Sequence, residues 1–237
     1  MKWNNRSTCL SIRLFTAKNK ELLIVDTIAY KDLPALFQSV SRVFERKKNI
    51  LSNLDAKMGD GDLGITMSRG YAIFPSLLQK NLQEDVGKTL IMAAVEMLSV
   101  VPSTMGTLMA SGIMEGGKAL RGKKEINAVG LYDYLKGFET GIQKRGKCKK
   151  GDRTILDSIA CAVNKVTILL SMNSKACLAD VIEEAVQGAK EGVEATKSML
   201  PVFGKAAIFA STAIGLPDQG AVSGLYMLIG MQNYICK

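Results

Sequence analysis

From residue 32 onward, apolar residues recur at helical spacing, and this pattern constrains the fold more than any other feature of the chain. In one stretch, Ile155, Ile159 and Val163 are followed by Val166 and Leu170 at intervals of three or four residues. That interval is the period of one face of an α-helix. The pattern predicts eight helices, over about residues 32–53, 66–80, 85–100, 103–120, 131–144, 154–172, 177–200 and 220–235. No run alternates with period two for long enough to predict a sheet.

Start signals and loop lengths organise these helices into one domain. Asp32 is a predicted N-cap, and Pro34 lies just inside the first helix, which is a common helix start. Most connections between the helices are short, and short connections favour antiparallel neighbours. The sequence therefore predicts an all-α fold, a single bundle of eight antiparallel helices over residues 29–237. Residues 1–28 are predicted to form an N-terminal extension, whose weak likeness to a signal peptide is interrupted by Ser11 and Arg13.

The chain contains no histidine, and this absence excludes several classes of protein. A Ser-His-Asp hydrolase, a histidine metal site and a phosphohistidine carrier each need the imidazole group. Acid–base roles must therefore be taken by Asp, Glu, Lys or Tyr. Five cysteines are scattered without a C-x-x-C pair, which argues against a zinc site and favours a reducing, cytoplasmic location.

The net charge is +9, with basic clusters at 46–48, 118–124 and 144–150. These clusters lack the interleaved aromatic residues of a nucleic-acid surface, so we expect solvated helix ends and no nucleic-acid partner. An acidic partner or a phosphorylated donor is the alternative interpretation of the basic charge. No stretch approaches eighteen uncharged apolar residues, so we expect no membrane span.

Residues 54–66, LDAKMGDGDLGIT, place three carboxylates and three glycines between two apolar segments. Asp55, Asp60 and Asp62 would repel one another unless a cation lay among them, and oxygen ligands suit Mg²⁺ or Ca²⁺. The spacing fails the calcium-loop pattern in both possible registers, because the required acidic positions hold Lys, Gly, Thr or Tyr. Mg²⁺ needs only one or two carboxylates plus substrate phosphates. A simple Asp/Gly turn with solvated acids is the alternative interpretation.

Alternate loops of an antiparallel bundle lie at the same end, and four such loops carry the unusual residues. They are residues 55–66, 102–107, 146–154 and 201–220. Each of the following helices begins at that end, where free N–H groups and the helix dipole favour anions. Ser103 or Thr104 is a predicted cap for the fourth helix, Asp152 and Thr154 for the sixth, and Asp218 for the eighth.

The stretch 54–70, LDAKMGDGDLGITMSRG, resembles the metal-binding signature of the dihydroxyacetone kinase L subunit and its relatives. Further matches follow in the same order: RGK at 145–147, GDRTILD at 151–157, GKA at 204–206 and DQGAVS at 218–223. The resemblance covers about residues 30–237. It implies a barrel-like bundle of eight antiparallel helices with a nucleotide site at one end. Several ordered motifs are more specific than any single one.

The resemblance also assigns roles to individual residues. It implies that Asp55, Asp60 and Asp62 bind two Mg²⁺ ions and, with Lys205, are catalytic. Nucleotide contacts fall at Leu63, Gly64, Ile65 and Thr66; at Ser103, Thr104, Gly106 and Thr107; at Gly146 and Ile155; and at Lys205, Asp218, Gln219 and Gly220. The chain departs from the family where 103–107 replaces a glycine-rich loop, where Lys205 replaces arginine and where Gln219 replaces proline.

The function implied by this resemblance is that of the nucleotide-binding subunit of a dihydroxyacetone-type kinase. Such a subunit uses Mg²⁺ with ADP or ATP and works with a K subunit that holds a small ketose. The donor is either ATP or a phosphotransferase-system phosphocarrier, so that phosphocarrier and a second copy of the chain are candidate partners. The alternatives are a regulatory module that binds nucleotide without transfer and, more remotely, a ligand-free helical scaffold.

Overall fold

The computed structural model describes residues 25–209 and 213–237, and within them the chain is almost entirely helical. The described residues form eight α-helices: α1 (Leu33–Asp55), α2 (Leu63–Lys80), α3 (Val86–Val100), α4 (Thr104–Ala119), α5 (Ala128–Gly146), α6 (Ile155–Met172), α7 (Leu178–Ala195) and α8 (Gln219–Ile235). Three short 3₁₀ segments and two strands of two residues complete the described structure. The predicted all-α class and the predicted number of helices are confirmed.

The helices close into a ring, because each packs against the next in sequence and α8 packs against α1. The two strands, β1 (Ile28–Ala29) and β2 (Glu125–Ile126), pair antiparallel, with Ile28 opposite Ile126. Apolar faces of all eight helices meet inside the ring in one large cluster of buried side chains. Its aromatic centre includes Phe44 and Tyr71, which stack with ring centroids 4.6 Å apart. This core holds the helix ends, and so the loops between them, in fixed relative positions.

Several helix boundaries differ from the prediction by two residues or more, and the end of α7 has a tertiary cause. The helix α7 ends at Ala195, five residues before the predicted end, and a 3₁₀ segment covers Thr196–Ser198. The Thr196 hydroxyl donates to the carbonyl of Val193, while the Thr196 carbonyl accepts from the side chain of Arg153. These contacts replace a further helical turn. The helices α2 and α5 both begin three residues earlier than predicted, and residues 63–66 therefore form the first turn of α2.

The predicted N-terminal extension falls mostly outside the described residues, which begin at Val25. The Val25 amide donates to the carbonyl of Ile235, and the side chain of Ile28 is buried. The end of the predicted extension therefore packs onto the helical domain. The division at residues 28 and 29 stays a prediction.

One helix of the described chain, α6, is long and apolar enough by composition to cross a membrane. Half of this stretch is buried inside the bundle, where α6 packs against α7, α8 and α5. The interior helix of a globular domain satisfies the same compositional test.

Candidate functional site

The three aspartates of the first loop converge at the end of the bundle. Asp55 is the last residue of α1, and Asp60 and Asp62 lie in the connection to α2. One carboxylate oxygen from each of these residues lies within 4.8 Å of the others. Gly61, with φ of +77°, makes the turn that brings them together, a conformation that glycine adopts without steric cost. Three carboxylates this close form a donor set that suits a hard divalent cation.

Burial and the neighbouring negative charges both act on Asp55. Its side chain is buried, and burial together with the negative charges of Asp60 and Asp62 raises the pKa of the Asp55 carboxyl. The Leu63 amide opposes this effect by donating to Asp55 Oδ2 at 3.2 Å. A cation bound among the three groups would relieve the repulsion and favour the ionised form of all three. The cluster therefore fits a Mg²⁺ site on its own chemistry.

The helices α1 and α2 pack closely together next to the acidic cluster. A Cβ atom on Gly64 would lie only 2.0 Å from the backbone carbonyl oxygen of Lys48 in α1. Only glycine allows the first turn of α2 to lie this close to α1. Since Leu63 is the residue that donates to Asp55, this contact also sets the position of the carboxylate.

The first turns of α4, α6 and α8 begin at the same end, and each is capped by a side chain. Ser103 accepts from the Gly106 amide at 2.9 Å, and Asp218 accepts from the Ala221 amide at 2.7 Å. Thr154 and Asp157 form a reciprocal capping box at the start of α6. A Cβ on Gly220 would lie 3.1 Å from both Met105 Cε and the Ile155 amide nitrogen, so the three helix ends are neighbours.

Asp152 does not cap α6, and that part of the capping prediction is wrong. Its carboxylate instead accepts from the Lys149 amide at 2.8 Å, and its carbonyl accepts from the Val202 amide. Asp152 therefore joins the loop before α6 to the loop before α8. Thr154 is the residue that caps the helix.

An open cleft with a volume of about 660 Å³ lies between the loops that precede α4, α6 and α8. Its walls combine hydroxyl groups, including Ser103 and Thr154, with the apolar side chains of Leu108 and Phe203, and Arg145 contributes a cation. Small-molecule sites commonly have volumes of about 300–1,000 Å³ and this mixture of apolar and polar walls. The cleft is therefore large enough for a nucleoside with phosphate groups.

The acidic loop and the cleft share one wall, the segment before α8. Phe203 and Gly204 line the cleft, and Ala206 and Ala213 pack on the fully buried side chain of Met58. Met58 lies between Asp55 and Asp60 in the acidic loop. All four loops that carry the sequence motifs thus lie at one end of the bundle.

Arg153 joins three of these loops, and the sequence analysis did not select it. Its side chain is 2% exposed, and its backbone is left-handed, with φ of +59°. Nε donates to the Thr196 carbonyl at 3.1 Å, and Nη2 donates to the carbonyls of Ala213 and Leu216, each at 2.9 Å. Nη2 also lies 3.3 Å from the sulfur of Met58. Nothing in the local sequence signals these contacts, because their partners are 43 to 95 residues away.

Burial also affects Asp218, the cap of α8. Desolvation raises the pKa of its carboxyl to about 7, although the Ala221 amide and the charge of Arg153 act in the opposite direction. The Asp218 amide donates to the hydroxyl of Thr196, whose carbonyl accepts from Arg153. Asp218 therefore belongs to the same buried network as Arg153.

The predicted nucleotide-binding residues have different environments. Ser103, Thr104, Thr107 and Gly146 line the cleft, whereas Ile155 is a buried core residue that packs against α8. Ile65 is 54% exposed, Leu63 and Gly64 are buried, and Gly106 is buried against the loop before α4.

Three further predicted positions lie at the start of α8 or just before it. Gln219 has a buried Oε1 without a hydrogen-bond partner in the described chain, and Gly220 is buried. The side chain of Lys205 lies outside the described residues, so its role stays a prediction. Arg145, Cys148 and Phe203 also line the cleft, although the sequence pattern assigns no role to them. Their positions in or next to the motif-bearing loops were the available signal.

Comparison with known proteins gives a family match over most of the chain. Residues 57–233 match the model of the DAK2 domain. The chain is 30% identical over 187 residues to a Listeria innocua protein named "PEP-dependent dihydroxyacetone kinase 1, ADP-binding subunit DhaL". That alignment covers 79% of this chain and 87% of the Listeria protein.

Two longer proteins contain a region similar to this chain. Triokinase/FMN cyclase of Rattus norvegicus is 27% identical over 211 residues, which cover 87% of this chain and 35% of the rat protein. The crystal structure of dihydroxyacetone kinase from C. freundii, in complex with AMP-PNP and Mg²⁺, superposes with a TM-score of 0.63 at 18% identity. That superposition covers 99% of this chain and 37% of the kinase, and it shows a shared fold.

Proposed function

The chain belongs to the DAK2-domain family, and from this premise we propose that it is the Mg²⁺- and nucleotide-binding subunit of a dihydroxyacetone-type kinase. In this role it holds ADP or ATP and passes a phosphoryl group to a small ketose on a partner K subunit. The observation that carries the proposal is the convergence of Asp55, Asp60 and Asp62 beside a cleft of nucleotide size. The relatives named for dihydroxyacetone kinase and for ADP binding support it.

Different residues of the site would bind the metal, the phosphates and the base. The three aspartates would hold one or two Mg²⁺ ions, whose chemistry when bound is to neutralise charge on the phosphate oxygens. The first turns of α4, α6 and α8 point amide groups and positive dipole ends toward the same region, which favours the phosphates. Leu108 and Phe203 offer apolar surface for the base in the cleft. Lys205, Gln219 and Gly220 would contact the nucleotide from the segment before α8 and from the start of α8.

The acceptor is proposed to lie on another subunit, because the chain has no histidine and, among the described residues, Cys148 is the cysteine that lines the cleft. Burial raises the pKa of the Cys148 thiol, which disfavours the reactive thiolate in the cleft. The exposed apolar side chains of Val202 and Ile214 lie on the segment before α8 and offer surface for a partner. The donor is proposed to be ATP or a phosphotransferase-system phosphocarrier, in a cytoplasmic setting.

Calorimetry and reconstitution test this proposal. We expect Mg²⁺-dependent binding of ADP or ATP, measured by titration calorimetry, and co-purified nucleotide with metal in native mass spectra. We also expect dihydroxyacetone phosphate to form when a K subunit, dihydroxyacetone and a phosphoryl donor are added. The absence of any Mg²⁺-dependent nucleotide binding would rule the proposal out.

A regulatory module that binds nucleotide without transfer is the second candidate function. One observation favours it: two of the three hydroxyls of the 103–107 loop form hydrogen bonds within the loop. Ser103 Oγ accepts from the Gly106 amide, and Thr107 Oγ1 donates to the Ser103 carbonyl at 2.8 Å. Nucleotide binding without phosphorylated product in the same reconstitution would favour this function.

A further inference from the structure

The buried guanidinium of Arg153 contacts each part of the site except the loop before α4. Its Nη2 atom lies against Met58 of the acidic loop and bonds two carbonyls of the segment before α8. Its Nε atom bonds the carbonyl that follows α7. Arg153 itself lies in the loop before α6, which lines the cleft. Movement of any of these loops would break a charge-assisted hydrogen bond.

The contact with Met58 brings Arg153 next to the acidic cluster. Met58 is fully buried, and its amide donates to the carbonyl of Asp55 at 2.9 Å. Asp60 follows only two residues later. The position of the Met58 side chain therefore constrains the backbone between two of the three carboxylates.

Two properties of Arg153 are costly for a group with only a packing role. Its left-handed backbone is unfavourable for a residue with a Cβ atom. Its Nη1 atom is buried without a hydrogen-bond partner among the described residues, and its cation bonds neutral groups instead of a carboxylate. Strain and unpaired buried polar groups of this kind are concentrated at functional sites.

We propose that Arg153 is a positioning residue, which holds the acidic loop and the segment before α8 in the arrangement that binds Mg²⁺ together with nucleotide. This proposal rests on the proposed function, because it concerns the same site. Arg153 acts through Met58 and through the carbonyls of Ala213 and Leu216, and it needs no contact with the ligand. Its removal should therefore raise the Mg²⁺ concentration needed for nucleotide binding, while the helical fold is kept.

The test compares four variants by the Mg²⁺ concentration that gives half-maximal ADP binding. Arg153→Met removes the charge and all donors, Arg153→Lys keeps the charge without the planar fork, and Met58→Leu removes only the sulfur contact. Arg121→Met is the matched control, because Arg121 is exposed in the connection between α4 and α5, at the opposite end of the bundle. Circular dichroism and thermal unfolding report the folded fraction of each variant.

We expect half-saturation to require about tenfold more Mg²⁺ in Arg153→Met, with partial recovery in Arg153→Lys, as the loss of hydrogen bonds to a charged group predicts. Met58→Leu should need about threefold more, which corresponds to the loss of one weak contact. Arg121→Met should match the wild type.

A lower melting temperature with unchanged Mg²⁺ dependence would overturn the proposal and leave Arg153 a structural residue. If neither Arg153 variant folds, Met58→Leu decides, and wild-type Mg²⁺ dependence in that variant overturns the proposal. A wild-type protein that shows no Mg²⁺-dependent nucleotide binding would instead overturn the proposed function, and this inference with it.

Discussion

Asp60→Asn should raise the stability of the metal-free protein while it removes the response to Mg²⁺. The substitution replaces one of three converging carboxylates with an uncharged group of the same size. Without metal, the remaining acids lose a like charge within 4.8 Å. With metal, the site loses one of its proposed ligands. The two effects have opposite signs, and this combination distinguishes a metal site from an ordinary solvated turn.

The magnitude follows from the separation of the carboxylates. Two unit charges 4.8 Å apart repel by about 0.9 kcal/mol in bulk water and by about 3.5 kcal/mol at an effective dielectric constant of about 20. Asp60 and Asp62 are exposed and Asp55 is buried, so the lower figure applies better to the pair of Asp60 with Asp62. Relief of the two pairs that include Asp60 should stabilise the metal-free fold by about 2 kcal/mol. A chain of this size should then melt about 4–8 °C higher.

Thermal unfolding with and without Mg²⁺ measures both effects. Mg²⁺ at one hundred times its dissociation constant should stabilise the wild type by about 2.7 kcal/mol, and Asp60→Asn should lose most of that gain. The increase in metal-free stability should shrink at high salt, because exposed charges are screened. Glu183→Gln, which removes a carboxylate from an exposed position on α7, is the control and should change neither property. A metal-free Asp60→Asn protein that melts below the wild type and still responds to Mg²⁺ would refute the reasoning.

Two further substitutions test the supports of the site. Because burial raises the pKa of Asp218 from 3.8 to about 7, the folded state keeps a proton that the unfolded chain has already released between these pH values. Stability should therefore fall as pH rises from about 4 to 7 and level off above 7. Asp218→Asn should remove a fall of about 2.6 kcal/mol between pH 5 and pH 8, as measured by urea unfolding at these two pH values. Gly64→Ala would place a Cβ 2.0 Å from the Lys48 carbonyl oxygen, and it should cost about 1–3 kcal/mol in urea unfolding and weaken the response to Mg²⁺.

Each of these two predictions has a result that would contradict it. A pH profile of stability that Asp218→Asn leaves unchanged would mean that this carboxyl is not the titrating group. A Gly64→Ala protein as stable as the wild type would mean that α1 and α2 separate without cost. Asp133→Asn serves as the control for the pH profile, because Asp133 forms a partly exposed ion pair with Lys123.

Local sequence patterns predicted most of the helices and part of the site. The helical period of apolar residues depends on neighbours three and four positions away, so it is readable without tertiary information. Ser103 and Asp218 were recognisable as caps because an N-cap bonds an amide only two or three residues ahead. The aspartates were recognisable because all three lie within one short, glycine-rich segment.

Long-range contacts decided the remainder. The end of α7 at Ala195, the use of Asp152 as a link between loops and the cleft wall at Phe203 each depend on partners distant in sequence. A carbonyl or a carboxylate has several possible partners, and packing of the bundle selects one of them. Arg153 shows this most clearly, since its position in the sequence does not reveal which loops its Nε and Nη2 atoms bond. The sequence by itself determined eight helices and an acidic turn, because both depend on near neighbours. The antiparallel arrangement also placed the four loops at one end, but only the tertiary structure decided that a buried arginine joins three of them, because its partners are 43 to 95 residues away.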